Sequence, residues 1–209
     1  VVAPANATSI YEVPDRTADS WVIDQGEILS RSTEGKISQS LANLAQETGY
    51  EVRMVSIYRL DYDETAQTFA DKLFERWFTT PEEQANQVVL VIDGLTNDIG
   101  IRTGEKVKSV MSDAIATSVA QESMLFPLKE GNKYNQAFFE ASDRMVAVLS
   151  GKEDPGPPEL RPTVNAESNF ATRETTKSSN ATAWVVGLLL AATVIPMATY
   201  YFYQWMGSR

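Results

Sequence analysis

The sequence has neither cysteine nor histidine. Without cysteine there is no disulfide, no thiolate nucleophile and no sulfur-ligated zinc, and the redox compartment cannot be read from thiol usage. Without histidine the usual general base near neutral pH is missing, together with Ser-His and Cys-His nucleophilic arrangements and the commonest transition-metal ligand. Any chemistry would rest on carboxylates, hydroxyls, Lys or Arg, and any bound metal would be a hard cation held by oxygen. Basic residues are also scarce: 18 Lys and Arg stand against 28 Asp and Glu, a net charge of -10 over 209 residues. That balance argues against nucleic acid as a partner, because phosphate-backbone affinity needs clustered cations.

The C-terminal region is read most directly. From Trp184 to Trp205 the stretch "WVVGLLLAATVIPMATYYFYQW" carries no charged residue, and about 22 helical residues cross a ~30 Å hydrocarbon core. Trp184 at one end and Tyr200, Tyr201, Tyr203 and Trp205 at the other are spaced like interfacial belts. Pro196 is expected to kink this helix. Gly187, Ala191, Ala192 and Ala198 are small enough to let a neighbouring helix approach. Arg173 and Lys177 before the span and Arg209 after it do not decide its orientation.

Ahead of the span, "GKEDPGPPELRPTVNAESNFATRETTKSSNAT" has Pro155, Pro157, Pro158 and Pro162, scattered charge and little apolar periodicity, the composition of a linker. Asn6 and Asn180 stand in formal Asn-x-Thr glycosylation triplets. The chain opens at Val1 in "VVAPANATSIY", a start expected of a protein whose targeting segment has been removed. The resulting division is an N-terminal extension (1–20), a globular domain (21–150), a linker (151–182), a transmembrane helix (183–206) and a short tail (207–209).

Strand and helix patterns alternate through the globular part. "WVID" is a short strand. "STEGKISQSLANLAQETG" places Ile37, Leu41, Leu44 and Ala45 on one helical face, with Ser32 or Thr33 as the expected cap and Gly49 as the stop. "YEVRMVSIYR" is a strand and "ETAQTFADKLFERWF" an amphipathic helix. "NQVVLVID" is apolar throughout, as in a strand covered on both faces, and "DIGIRTG" can return antiparallel across "GLTN". Two further helices are predicted, from about 106 to 120 and from about 133 to 149. The pattern predicts an α/β fold: a central mixed sheet sandwiched by helices, followed by one transmembrane helix.

Asp61, Asp63 and Thr65 in "RLDYDET" match the Asp-x-Asp-x-Thr nucleophile signature of one phosphatase superfamily. The residues before Asp61 are less apolar than those before Asp93, and the stretch reads as a helix entrance capped by Asp61 or Asp63. A better site lies beyond the carboxyl ends of the strands, where open α/β sheets collect ligands. Asp24 and Asp93 both follow apolar strands there, and Asn86, Asn97 and Asp98 in adjoining turns could add oxygens for a cation such as Ca²⁺. Arg102 could bind or steer a phosphate. Against ligation stands the preference of Asx residues for turns on local hydrogen-bonding grounds.

The ordered strings "VIDQGEILS", "FADKLFERWFTTPEEQANQVVLVIDGLTNDIGIRTGE" and "DAIATSVAQESMLFPLKEGNKYNQAFFEASDRMVAVL" resemble the TPM-domain family. The resemblance covers about residues 24–149, and "ERWFTTPEEQAN" with the C-terminal anchor is most similar to the thylakoid branch of cyanobacteria and plastids. It implies an α/β sandwich in the thylakoid lumen on a single-pass anchor, with the C-terminus stromal or cytoplasmic. It also implies a role in photosystem assembly, protection or repair. Photosystem II subunits are the first expected partners, photosystem I subunits the alternative, and membrane lipids surround the span. The expected function is a non-catalytic accessory protein; the alternatives are a carboxylate-based acid phosphatase using Asp24, Asp93 and Arg102, and a calcium-binding module.

Overall fold

A computed structural model describes residues 7–158 and 181–207. The glycosylation triplet residues Asn6 and Asn180, most of the expected linker, and Ser208 and Arg209 lie outside the described residues. The chain divides into two units, at 1–160 and 161–209.

The first unit is built on a four-stranded sheet: β1 (Val22–Asp24), β2 (Glu51–Ile57), β3 (Gln87–Asp93) and β4 (Ile99–Thr103), adjacent in that order. β1, β2 and β3 run parallel, and β4 returns antiparallel to β3. The apolar run of β3 follows from its position, since helices cover both faces. Val88, Leu90 and Ile92 meet helix α1 (Arg31–Thr48) and a C-terminal helical group. Val89 and Val91 meet helix α2 (Ala66–Trp77).

The helix entrances are set by hydroxyls two to four residues away from the expected caps. Ser30, with extended backbone, accepts the Thr33 N–H at 3.2 Å and starts α1, while Ser32 and Thr33 fall inside the helix. Gly49, at φ 75°, ends it as expected. For α2 the cap is Thr65, in a reciprocal box with Thr68. Asp61 instead opens a turn, its C=O accepting the Glu64 N–H at 3.1 Å, so "DYDET" is a helix entrance in which neither aspartate is the cap. A single turn, α3 (Pro81–Gln84), leads into β3.

The helix expected from about 106 to 120 is broken up, and four helical segments occupy residues 105–129. α4 (Glu105–Lys108) stops, Ser112 caps α5 (Asp113–Ser118), and a π-helical stretch (Val119–Met124) runs into α6 (Leu125–Lys129). Pro127 explains the widened turn: its ring has no N–H and crowds the carbonyl four residues earlier, so the preceding helix cannot keep its regular ladder. α7 (Tyr134–Leu149) packs against α1 and the π-helical stretch.

Both flanks of the domain are fastened to it. Val13 is fully buried. The Arg76 guanidinium, from α2, bonds the carbonyls of Ile10 and Val13 and pairs with Asp15. After α7, Asp154 accepts two bonds from Arg144, both at 2.7 Å, while the Arg144 Nη1 also reaches Ser118 and Ser123. On the outer side of β4, the Gln67 side-chain amide bonds both the N–H (3.2 Å) and the C=O (3.0 Å) of Ile101, in the manner of a neighbouring strand. This approach needs Gly100, where a Cβ would overlap the Ala66 carbonyl.

In the second unit, α8 (Ala181–Gly207) includes Pro196. Its 24 residues from Trp184 to Gly207 are long and apolar enough to cross a membrane. Thr193 and Thr199 satisfy their hydroxyls on the carbonyls of Leu189 (2.9 Å) and Ile195 (2.6 Å).

Two stability experiments follow from these contacts. Gly100→Ala should destabilise the domain by about 2 kcal/mol through overpacking. Gly35→Ala, in α1 with open space around the new methyl, should stabilise it by about 0.5 kcal/mol or more. Urea unfolding of both variants compares them directly. The second experiment is a pH series. The bond from Arg144 holds the Asp154 carboxyl below its ordinary value, so its stabilisation is present above the ordinary carboxylate range and is lost as pH falls through the depressed value. Burial pushes Asp143 up, so its contribution is lost as pH rises through the raised value. Asp154→Asn should therefore flatten the acid limb of a melting-temperature profile, and Asp143→Asn should raise melting temperature at neutral pH.

Candidate functional site

The carboxyl ends of β1, β2 and β3 gather most of the nominated residues. Asp24 ends β1, and its two carboxylate oxygens accept the N–H groups of Ile28 (3.2 Å) and Leu29 (2.9 Å). The Ser56 hydroxyl donates to the same carboxylate and accepts the Gly26 N–H at 3.1 Å. Asp93 ends β3 and is 2% exposed. Its Oδ1 accepts from Leu95 (2.7 Å) and Thr96 (3.2 Å), and its Oδ2 from Leu60 (3.2 Å).

Strand register separates these two carboxylates. Asp24 lies opposite Ser56, and Asp93 opposite Ile57, the next residue along β2. Successive side chains of a strand point to opposite faces, so Asp24 joins the α1 face and Asp93 the α2 face. Adjacent strand ends do not make them a pair.

Asp98 and Asn97 complete this end. The Asp98 carboxylate accepts the Ala66 N–H at 2.7 Å, at the positive end of α2. Asn97, at φ 59°, is bonded by its Nδ2 to Asn132 (3.3 Å), and its Oδ1 lies 2.9 Å from the Tyr134 hydroxyl, which also reaches the Gly94 carbonyl at 3.0 Å. Glu27, Asn97 and Asn132 are the non-glycine residues at positive φ among the described residues. All three occupy loops at this end, where backbone strain is concentrated.

The other two nominated residues lie elsewhere. Asn86 precedes β3 at its opposite end; its carbonyl accepts the Glu51 N–H, and its side-chain oxygen is buried without a partner. Arg102 stands beside Val89 because β4 runs antiparallel, and it lies over the Phe74 ring, 3.7 Å from Asp71. Among the described residues, no three His, Cys, Asp or Glu side chains stand close enough together to hold a metal ion. Asp24, Asp93 and Asp98 instead direct their oxygens at backbone N–H groups and fix loops.

A cleft of about 580 Å³ opens near the amino ends of the strands, lined by residues that include Arg16, Asp19, Trp21, Glu51 and Arg53. Arg53, buried at 3% exposure, forms part of its lining. Its guanidinium pairs with Glu51 (2.8 Å), bonds Gln87 (2.8 Å) and lies over the rings of Trp21 and Phe78. Burial pushes its pKa down, opposed chiefly by the bond to Glu51. Sequence reading missed Arg53 and Tyr134. A charged residue inside the otherwise apolar "VRMVSI" was the available signal for Arg53; Tyr134 acts across the fold and left no local one.

Asp93→Ala should strand three inward N–H groups and cost about 3 kcal/mol. The expected outcome is a lower urea midpoint and faster amide exchange at Leu60, Leu95 and Thr96. Arg102→Ala, which removes a half-exposed pair, should shift the midpoint by less than about 1 kcal/mol.

Comparison with known proteins agrees with this architecture. Residues 22–148, more than half the chain, match the family model described as TPM domain. A chloroplastic UPF0603 protein of Oryza sativa subsp. japonica is 31% identical over 187 residues, covering 88% of this chain and 62% of its own length. One from Arabidopsis thaliana is 29% identical, covering 88% and 65%. The chain thus spans a little over three fifths of these relatives' length. Among solved structures, the N-terminal domain of a P. gingivalis protein superposes with a TM-score of 0.64 at 19% identity, covering 70% of this chain and 94% of that one. The BA42 protein of Bizionia argentinensis gives 0.50 at 18% identity, covering 64% and 92%; both likenesses concern the fold. By its family match and its architecture, the chain belongs to the TPM domain family.

Proposed function

We propose that this chain is a membrane-anchored, non-catalytic accessory protein of photosystem assembly, protection or repair. Its TPM domain would face the thylakoid lumen and its C-terminus the stroma or cytoplasm. The observation that carries this reading is the apolar helix α8 on the same chain as a domain whose strand-end carboxylates are occupied by backbone N–H groups. The helix suits a protein kept beside large membrane assemblies. Carboxylates with both oxygens already on backbone N–H groups suit loop support better than general acid or nucleophilic work, which needs an oxygen turned toward substrate. The chloroplastic names of the relatives support the compartment. Photosystem II subunits are the proposed partners, with lipids around α8.

The test is solubilisation of the native membrane in mild detergent, native separation, and identification of what migrates with this chain. Co-migration with a photosystem complex is the expected result, reduced when α8 is deleted. Migration of the intact chain alone would overturn the proposal.

A further inference from the structure

Outside α8, four large apolar residues of the described chain are strongly exposed: Tyr11, Tyr58, Tyr62 and Leu95. Tyr11 packs against the Arg76 guanidinium at 5.9 Å. The other three fall on two neighbouring loops, β2–α2 and β3–β4. Tyr58 is 62% exposed, Tyr62 fully exposed and Leu95 58% exposed.

These loops are held together. Gly94 N–H bonds the Ile57 carbonyl (2.9 Å), Leu60 N–H the Asp93 carboxylate (3.2 Å), and Ala66 N–H the Asp98 carboxylate (2.7 Å). These bonds tie the ends of the β2–α2 loop to the β3–β4 turn, and the bond from Glu64 N–H to the Asp61 carbonyl (3.1 Å) shapes the tip between them, so the exposed side chains stand on a partly preorganised surface. Aromatic side chains so presented are the residues that anchor protein interfaces.

Charge selects the partner. Asp61 and Asp63 flank Tyr62; both are exposed, and neither side chain has a hydrogen bond or ion pair among the described residues. An anionic bilayer surface would repel these carboxylates, and a net-neutral one offers them no net counter-charge. A second copy of the chain would bring the same acidic loop against itself in a two-fold contact. A protein surface with an apolar recess bordered by Lys or Arg satisfies both the tyrosines and the aspartates.

We infer that the tip formed by Tyr58, Asp61, Tyr62, Asp63 and Leu95 is the docking surface through which the domain contacts a basic protein surface of its membrane partner. This rests on the accessory-protein reading and names the face that reading uses.

The experiment places a photocrosslinking amino acid at position 62 of the full chain, in its native membrane, with a second probe at position 11 for comparison. The expected product is a protein adduct from position 62, not formed from position 11, on a segment containing Lys or Arg. Its yield should fall about tenfold in the Asp61→Lys, Asp63→Lys double variant and with added salt, while melting temperature is unchanged. Tyr62→Ala, made without the probe, should reduce co-migration with the complex. A lipid adduct, an adduct between copies, no adduct, or a yield indifferent to charge reversal would overturn the inference. If the intact chain migrates alone, the accessory-protein reading itself fails; if the tip variants co-migrate as the unaltered chain does, only the docking surface fails.

Discussion

A carboxylate at the end of a fully covered strand is tolerable only when both its oxygens are hydrogen-bonded, and Asp93 meets that condition with three backbone N–H groups. Two of them belong to the turn that follows β3 and one to the loop that follows β2. The same group therefore closes the β3–β4 turn and holds the approach to α2 against it. Asp98 repeats the device one turn later by accepting from the first residue of α2, and Asp24 does so for the loop into α1. The carboxyl end of the sheet is a set of loops stitched by acidic side chains.

The amino end is organised by the opposite charge. Arg53 enters the α2 side of the sheet, where its guanidinium lies over the Trp21 ring, before β1, and the Phe78 ring, at the end of α2. Glu51 and Gln87, the first residues of adjacent strands, provide its acceptors. An ion pair with one partner buried is weak evidence for stability, but the Arg53–Gln87 bond depends on register: a slip of β2 against β3 would separate them. The two ends of one sheet thus use buried charge for the same purpose, to fix which backbone lies beside which.

Much of this was legible in the sequence, for identifiable reasons. β3 is apolar because it is covered twice, and α1, α2 and α7 carry apolar faces at helical spacing. Gly49 marks a stop that only a residue at ease with positive φ makes cheaply. The region after β4 was less legible because its apolar period runs on through breaks made by a local cap at Ser112 and by Pro127, whose effect reaches back into the preceding turn. Asp24 and Asp93 could be placed at strand ends from their neighbours alone. Their separation onto opposite faces could not, because it depends on register between strands about seventy residues apart. Asn86 was grouped with them as part of an adjoining turn and Arg102 for its phosphate-binding chemistry, whereas the start of β3 and the direction of β4 put them elsewhere.

The Gln67 amide on the outer side of β4 has a consequence for how copies of the domain meet. An uncovered edge strand is a template on which another chain can extend the sheet, and crowding raises the rate of such encounters. Gln67 offers Ile101 one donor and one acceptor, the same pair that an invading strand would bring. A competing copy must therefore displace a contact already formed between α2 and β4, and ordered aggregation from that side meets a barrier built from a single neutral side chain.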